Sequence, residues 1–135
     1  MPETSFLIDD YRRGWAFRCL REANADFQMA EKTGVQMVAV SLAILAMRKA
    51  QTAIYYALGD PIFLNAVVHQ IEPTKAPVED HTLRLLTRIE HFISVRSEMP
   101  ESLSKEMALK EARYLIELAS ELVEFLTSHK VDRLA

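Results

Sequence analysis

Apolar residues recur every three or four positions over four long segments of the chain, and this spacing predicts four amphipathic α-helices. The segments run from residue 9 or 10 to 32, and over about 35–58, 78–97 and 102–129, with a further short helix within 62–71 left open. Gly34 is expected to end the first helix, since glycine commonly follows a helix C-terminus. Pro61 is expected to end the second, because the residue before a proline disfavours helical backbone.

No segment of useful length alternates polar and apolar residues with the period of a β-strand. The pattern therefore predicts an all-α fold, an antiparallel four- to five-helix up-and-down bundle. A chain of 135 residues is large enough for one core, and a single helical-bundle domain is expected over residues 1–135.

The second predicted helix carries six alanines at heptad spacing. They are Ala39, Ala43, Ala46, Ala50, Ala53 and Ala57. At about 100° per residue they fall within an arc of about 80°, so they form one stripe. A stripe of such small side chains lets a neighbouring helix approach closely. The other faces are also apolar, so this helix needs three covering helices, or two helices and a second subunit.

Composition and charge restrict the classes of function. The chain has a net charge of −3 and a pI near 5.8, which argues against nonspecific nucleic-acid binding. Its one cysteine, Cys19, is expected to pack against the core and suits a reducing compartment. The first 15 residues lack the basic start and apolar core of a signal peptide. The uncharged run before Arg48 is shorter than the roughly 20 residues of a membrane span, so a cytoplasmic protein without membrane contact is predicted.

Two residues of the third helix, Arg84 and His91, are candidates for catalysis. They are seven positions apart, which places them on one helix face about 10 Å apart along the axis. That face lies roughly 150° from the predicted core stripe of this helix, so water or another molecule should cover it. Arginine and histidine could together bind a phosphate and transfer a proton.

Other kinds of site receive less support. No histidine follows a glutamate by three positions, the spacing of a di-iron bundle, so no metal site and no cofactor is predicted. The segment HTLRLL, which begins at His81, resembles the phosphoacceptor region of histidine phosphotransfer domains. Those domains usually have a glycine where this chain has Leu85, whose side chain would fill the space that the partner needs.

The order of segments resembles the HEPN family of small helical bundles (higher eukaryotes and prokaryotes nucleotide-binding). The resemblance covers most of the chain and rests on four stretches, YRRGWAFRCLREANADFQMAEKTG, VAVSLAILAMRKAQTAIYYALG, EDHTLRLLTRI and SKEMALKEARYLIELASELVEFLTSHK. The family implies a bundle that often dimerises, sometimes beside a small nucleotidyltransferase, and some of its members cut RNA. Nuclease members carry an arginine and a histidine separated by four to six residues, a spacing that Arg84 and His91 satisfy. This chain departs from their pattern at Leu85, where a polar residue is usual, and its motif lies earlier in the bundle.

Three hypotheses follow. The first is a noncatalytic, dimeric HEPN-like accessory module that binds a nucleotide or a partner protein in an arginine-lined groove. Candidate ligand-binding residues are Arg48, Lys49, Arg84, Arg88 and Arg96. The second is a metal-independent, toxin-type ribonuclease that uses Arg84 and His91 and is restrained by an antitoxin partner. The third is a phosphotransfer domain that uses His81. An enzyme is the less favoured reading.

Overall fold

A computed structural model describes residues 9–74 and 77–134 of the chain, with side chains as far as residue 126. The described residues form five α-helices and no strand, which confirms the all-α bundle. The helices are α1 (Asp10–Lys32), α2 (Gln36–Leu58), α3 (Pro61–Ile71), α4 (His81–Glu98) and α5 (Lys105–Leu134). Short 3₁₀ turns, Glu72–Thr74 and Pro100–Ser102, follow α3 and α4. The segment 1–8, on which the expectation about a signal peptide partly rests, lies outside the described residues.

Aspartates cap three of the helices. Asp9, Asp60 and Asp80 each accept a backbone N–H bond at the start of α1, α3 and α4. The cap at Asp80 explains why α4 begins at His81 rather than near residue 78. Pro61 begins α3, as a proline readily does at the first helical position, so the short additional helix does form.

Helix α1 ends at Lys32 as predicted, but not through a left-handed glycine, and α5 begins later than predicted. Thr33, in extended conformation, follows α1 and donates its N–H to the Met29 carbonyl, and Gly34 does not take a left-handed φ. Helix α5 begins at Lys105 because Ser102 belongs to a 3₁₀ turn and the Ser104 hydroxyl accepts the Met107 N–H. It continues to Leu134. His129 therefore lies within α5, but its side chain is outside the described part.

Helix α2 is the centre of the bundle. It packs most extensively against α1 and α5, which also contact each other, and less extensively against α4 and α3. All six alanines of its stripe are buried, and so are five apolar positions of α1 that recur every three or four residues. Those positions are Ala16, Leu20, Ala23, Phe27 and Ala30. The close packing that the alanine stripe predicts is thus present within one chain.

Part of the apolar surface of α2 remains exposed, at Met37, Val38 and Leu45. The helix has 23 residues and contains an 18-residue window so apolar that length and composition alone would allow it to cross a membrane. The expectation about a membrane span rests only on the uncharged run of 13 residues before Arg48, and the helix itself is longer than that run. Half of the window is buried inside the fold, as in the core helix of a globular bundle.

Candidate functional site

A buried carboxylate joins α4 to α2. Glu90, only 3% exposed, lies beside Ile89 on the inner side of α4. Its Oε1 accepts hydrogen bonds from Arg48 Nη1 at 2.8 Å and from Gln51 Nε2 at 2.7 Å. Its Oε2 accepts a bond of 2.7 Å from the Ser94 hydroxyl. A buried carboxylate is costly unless it is paired and hydrogen-bonded, and both conditions are met here.

These contacts keep Glu90 ionised. Burial by itself would raise the pKa of Glu90, since the charged form loses its hydration. Hydrogen bonds from Arg48, Gln51 and Ser94, together with the positive charge of Arg48, outweigh burial and hold the pKa below its ordinary value. The group is therefore an anion that fixes the position of its cationic neighbour.

Two further polar residues extend the network. Gln51 Nε2 lies 3.2 Å from the Tyr55 hydroxyl oxygen, and burial, with a smaller effect of the Glu90 charge, raises the pKa of Tyr55 to about 12. His69 on α3 places Nε2 3.5 Å from Glu90 Oε2, while its Nδ1 lies 2.9 Å from the Asn65 carbonyl oxygen. Residues of α2, α3 and α4 thus meet around one carboxylate.

The network forms one wall of an open cleft of about 480 Å³, which we call the Arg48 cleft. It is lined by Arg48, Gln51, Thr52, Tyr55, Tyr56, Pro61, Ile62, Asn65 and His69. Arg48 uses Nη1 for its bonds to both Glu90 and Gln51, and its side chain remains 35% exposed. The Tyr56 ring lies nearly parallel to that of Trp15, at an angle of 13° with 6.0 Å between centroids.

This arrangement is suited to binding. An arginine whose position is fixed by a buried carboxylate presents its other N–H groups to a ligand without further ordering. The aromatic face of Tyr56 and the amide of Asn65 add an apolar surface and hydrogen-bonding groups within the same cleft. No group of three or more His, Cys, Asp or Glu side chains suitable for a metal ion occurs within residues 9–74 and 77–126.

The two candidate catalytic residues engage separate groups. Arg84 Nε donates to the Val78 carbonyl at 3.0 Å, and its Nη2 lies 3.5 Å from the Glu79 carbonyl oxygen. His91 is exposed, and its Nδ1 lies 2.7 Å from Glu72 Oε2. Each side chain therefore contacts the connection before α4, and the two do not converge within one chain.

The other predicted ligand-binding residues lie outside the Arg48 cleft, although Arg88 and Arg96 line a second cleft together with His91. Lys49 lies 2.7 Å from Asp26 Oδ2 on α1. Arg96 forms a two-point ion pair with Glu111 on α5, at 2.9 and 2.7 Å. Arg88 is exposed and makes no hydrogen bond or ion pair with the described residues. Arg48 alone of the predicted set lines the cleft that bears its name.

The candidate phosphoacceptor, His81, is the first residue of α4 and is exposed. Leu85, which replaces the glycine of phosphotransfer domains, is partly buried and packs against the core. Its side chain therefore serves the bundle itself.

Most of the site was missed from the sequence, which singled out only Arg48. Glu90, Gln51, Ser94 and His69 were not recognised. Two signals were present, since Gln51 interrupts the apolar stripe of α2 and Glu90 lies between the core residues Ile89 and Ile93. Comparison of the chain with protein-family models, with curated proteins and with solved structures found no match.

Proposed function

We propose that this chain is a noncatalytic, dimeric HEPN-like module that binds a nucleotide in the Arg48 cleft. The observation that carries the proposal is the fixed position of Arg48, whose guanidinium is anchored on the buried Glu90 carboxylate at 2.8 Å. The HEPN-like resemblance and the all-α bundle are consistent with this proposal. The side chains that line the cleft indicate the class of ligand.

The lining of the cleft suits a mononucleotide. Arg48 can donate N–H groups to phosphate oxygens, and charge-assisted bonds of this kind are among the stronger ones in proteins. Tyr56 offers a ring on which a base can stack, and Asn65 offers an amide for the base edge. Glu90 does not line the cleft, so its charge is shielded from the ligand by the groups bonded to it. The volume of about 480 Å³ is typical of small-ligand pockets.

Dimer formation is supported by the apolar residues that α2 leaves exposed, Met37, Val38 and Leu45. Val38 and Leu45 are seven positions apart and therefore share a helix face. A second copy packed on this face would cover the part of α2 that α1 and α5 leave open.

The ribonuclease alternative needs Arg84 and His91 to act on one phosphate. In this structure Arg84 is bonded to main-chain carbonyls and His91 to Glu72, so both would have to change partners before acting together. This is why we favour binding without catalysis. A small nucleotidyltransferase or an antitoxin remains the expected kind of protein partner.

Calorimetric titration with AMP, GMP, CMP and UMP tests the nucleotide site. Arg48→Lys retains a charge for Glu90 but loses the planar guanidinium, and Tyr56→Leu removes the stacking surface. Each should weaken binding about tenfold or more. Arg21→Gln, an exposed arginine of α1 outside the cleft, is the matched control. A wild-type protein that binds none of the four nucleotides, or two cleft variants that bind as wild type does, would overturn the proposal.

Sedimentation of the same protein tests the dimer, and an RNA-cleavage assay with His91→Ala alongside tests catalysis. A dimer that leaves RNA intact is expected. Cleavage that disappears in the variant would instead establish the ribonuclease reading, and a monomer would remove the dimer from the proposal.

A further inference from the structure

A second cleft, of about 520 Å³, lies on the outer side of α4, and we call it the Arg88 cleft. It is lined by Ile71, Glu72, Val78, Thr87, Arg88, His91, Phe92, Val95 and Arg96. It shares no lining residue with the Arg48 cleft, so its role does not depend on the nucleotide proposal.

The charges around this cleft are nearly balanced. Arg96 forms an ion pair with Glu111 through both Nε and Nη2, and His91 Nδ1 lies 2.7 Å from Glu72 Oε2. Two arginines therefore face two carboxylates, and His91 adds a positive charge only when it is protonated. Glu72 itself lines the cleft, where it would repel a polyanion such as a nucleoside triphosphate.

One cation in this cleft has no partner. Arg88 is exposed and makes no ion pair with any residue that the structure describes. Two parallel N–H groups of its guanidinium can donate to the two oxygens of a single carboxylate. Ile71, Val78 and Val95 form an apolar wall of the cleft, and Val95 is 40% exposed.

We infer that the Arg88 cleft binds a small organic monocarboxylate with an apolar body, such as an aryl- or alkyl-substituted acid. The carboxylate forms a two-point ion pair with Arg88, and the apolar body lies against Val78 and Val95. Arg88, which has no ion pair of its own among the described residues, favours a carboxylate over a neutral molecule, and the Glu72 carboxylate disfavours a polyphosphate. Burial of the apolar body provides the remaining affinity.

The test uses 3-phenylpropionate, with 3-phenylpropionamide as its uncharged counterpart and inorganic phosphate as an anion without an apolar body. Binding is followed by NMR shifts of backbone amides in isotope-labelled protein. Shifts are expected at α4 and around Val78, with the amide and phosphate each binding about tenfold more weakly or worse.

Arg88→Gln removes the charge, and Val95→Glu places a carboxylate on the apolar wall. Both positions are exposed, so the fold should be retained, and each variant should lower the affinity for 3-phenylpropionate about tenfold. Arg21→Gln is the control and should bind as wild type does. Equal affinity for acid and amide, unchanged binding by Arg88→Gln, or shifts confined to another part of the protein would each overturn the inference. If the wild-type protein binds 3-phenylpropionate as expected but does not bind AMP, only the proposed nucleotide site is disproved.

Discussion

Arg48 on α2 donates a hydrogen bond of 2.8 Å to the Glu90 carboxylate on α4. The contact between these two helices is otherwise much less extensive than the contact between α1 and α2. The carboxylate is almost fully buried, whereas a third of the arginine side chain is exposed to the cleft. The pair therefore has two roles. It fixes α4 against α2, and it positions the residue on which the proposed nucleotide site depends.

Removal of the Glu90 carboxylate should destabilise the bundle. Glu90→Ala leaves Arg48, Gln51 and Ser94 without their common acceptor, and breaking such a pair costs about 3 kcal/mol, at the lower end of the usual range because Arg48 is partly exposed. Urea denaturation measures the change. Glu124→Ala, on the exposed face of α5, is the control and should stay within about 0.5 kcal/mol of wild type. Equal losses in the two variants would show that the buried network contributes no specific stability.

The same carboxylate predicts a pH dependence. The folded-state pKa of Glu90 is lowered relative to the unfolded value of about 4.3. Between the two values the unfolded chain binds more protons, so stability rises with pH there. The contribution of Glu90 is thus fully present above about pH 4.3 and is lost as pH falls through the folded pKa. The stability difference between wild type and Glu90→Gln should therefore be constant near neutral pH and shrink in acid. A difference that stays constant down to the acid transition would contradict the lowered pKa.

Tyr55 predicts the opposite behaviour in alkali. Its pKa is about 12 in the folded protein, against about 10 in the unfolded chain, so the folded state holds the proton longer. Its contribution to stability is fully present below about pH 10 and is lost as pH rises through about 12. Burial also raises the pKa of Tyr56, so the component to follow is the one near pH 12. In an absorbance titration of the four tyrosines this component should be missing in Tyr55→Phe and retained in Tyr114→Phe, whose ring is exposed. If the component near pH 12 survived in Tyr55→Phe, it would belong to another tyrosine.

The helices could be predicted from the sequence because their apolar spacing is local information. The alanine stripe of α2 is buried as its spacing predicts, and the buried residues of α1 likewise recur every three or four positions. The site could not be predicted in the same way, because Glu90 meets Arg48 only when residues 42 positions apart are brought together. Arg84 and His91 show the converse limit. Helix geometry gives their spacing, but their hydrogen-bond partners lie in the connection before α4. The course of that connection cannot be predicted from the spacing of apolar residues in a helix.

Overpacking of the alanine stripe should destabilise the bundle. Ala46 and Ala50 are completely buried on α2, the helix that both α1 and α5 contact most, so a larger side chain at either position must displace a neighbouring helix. Ala46→Leu or Ala50→Leu should cost about 1–3 kcal/mol, measured as a lower midpoint in thermal and urea unfolding. Ala25→Leu makes the same chemical change at an exposed position of α1 and should shift stability by no more than about 0.5 kcal/mol. If the buried and exposed substitutions had equal effects, the stripe would not be a close helix contact. If only the buried ones destabilise, the small size of these alanines is what allows α2 to lie at the centre of the bundle.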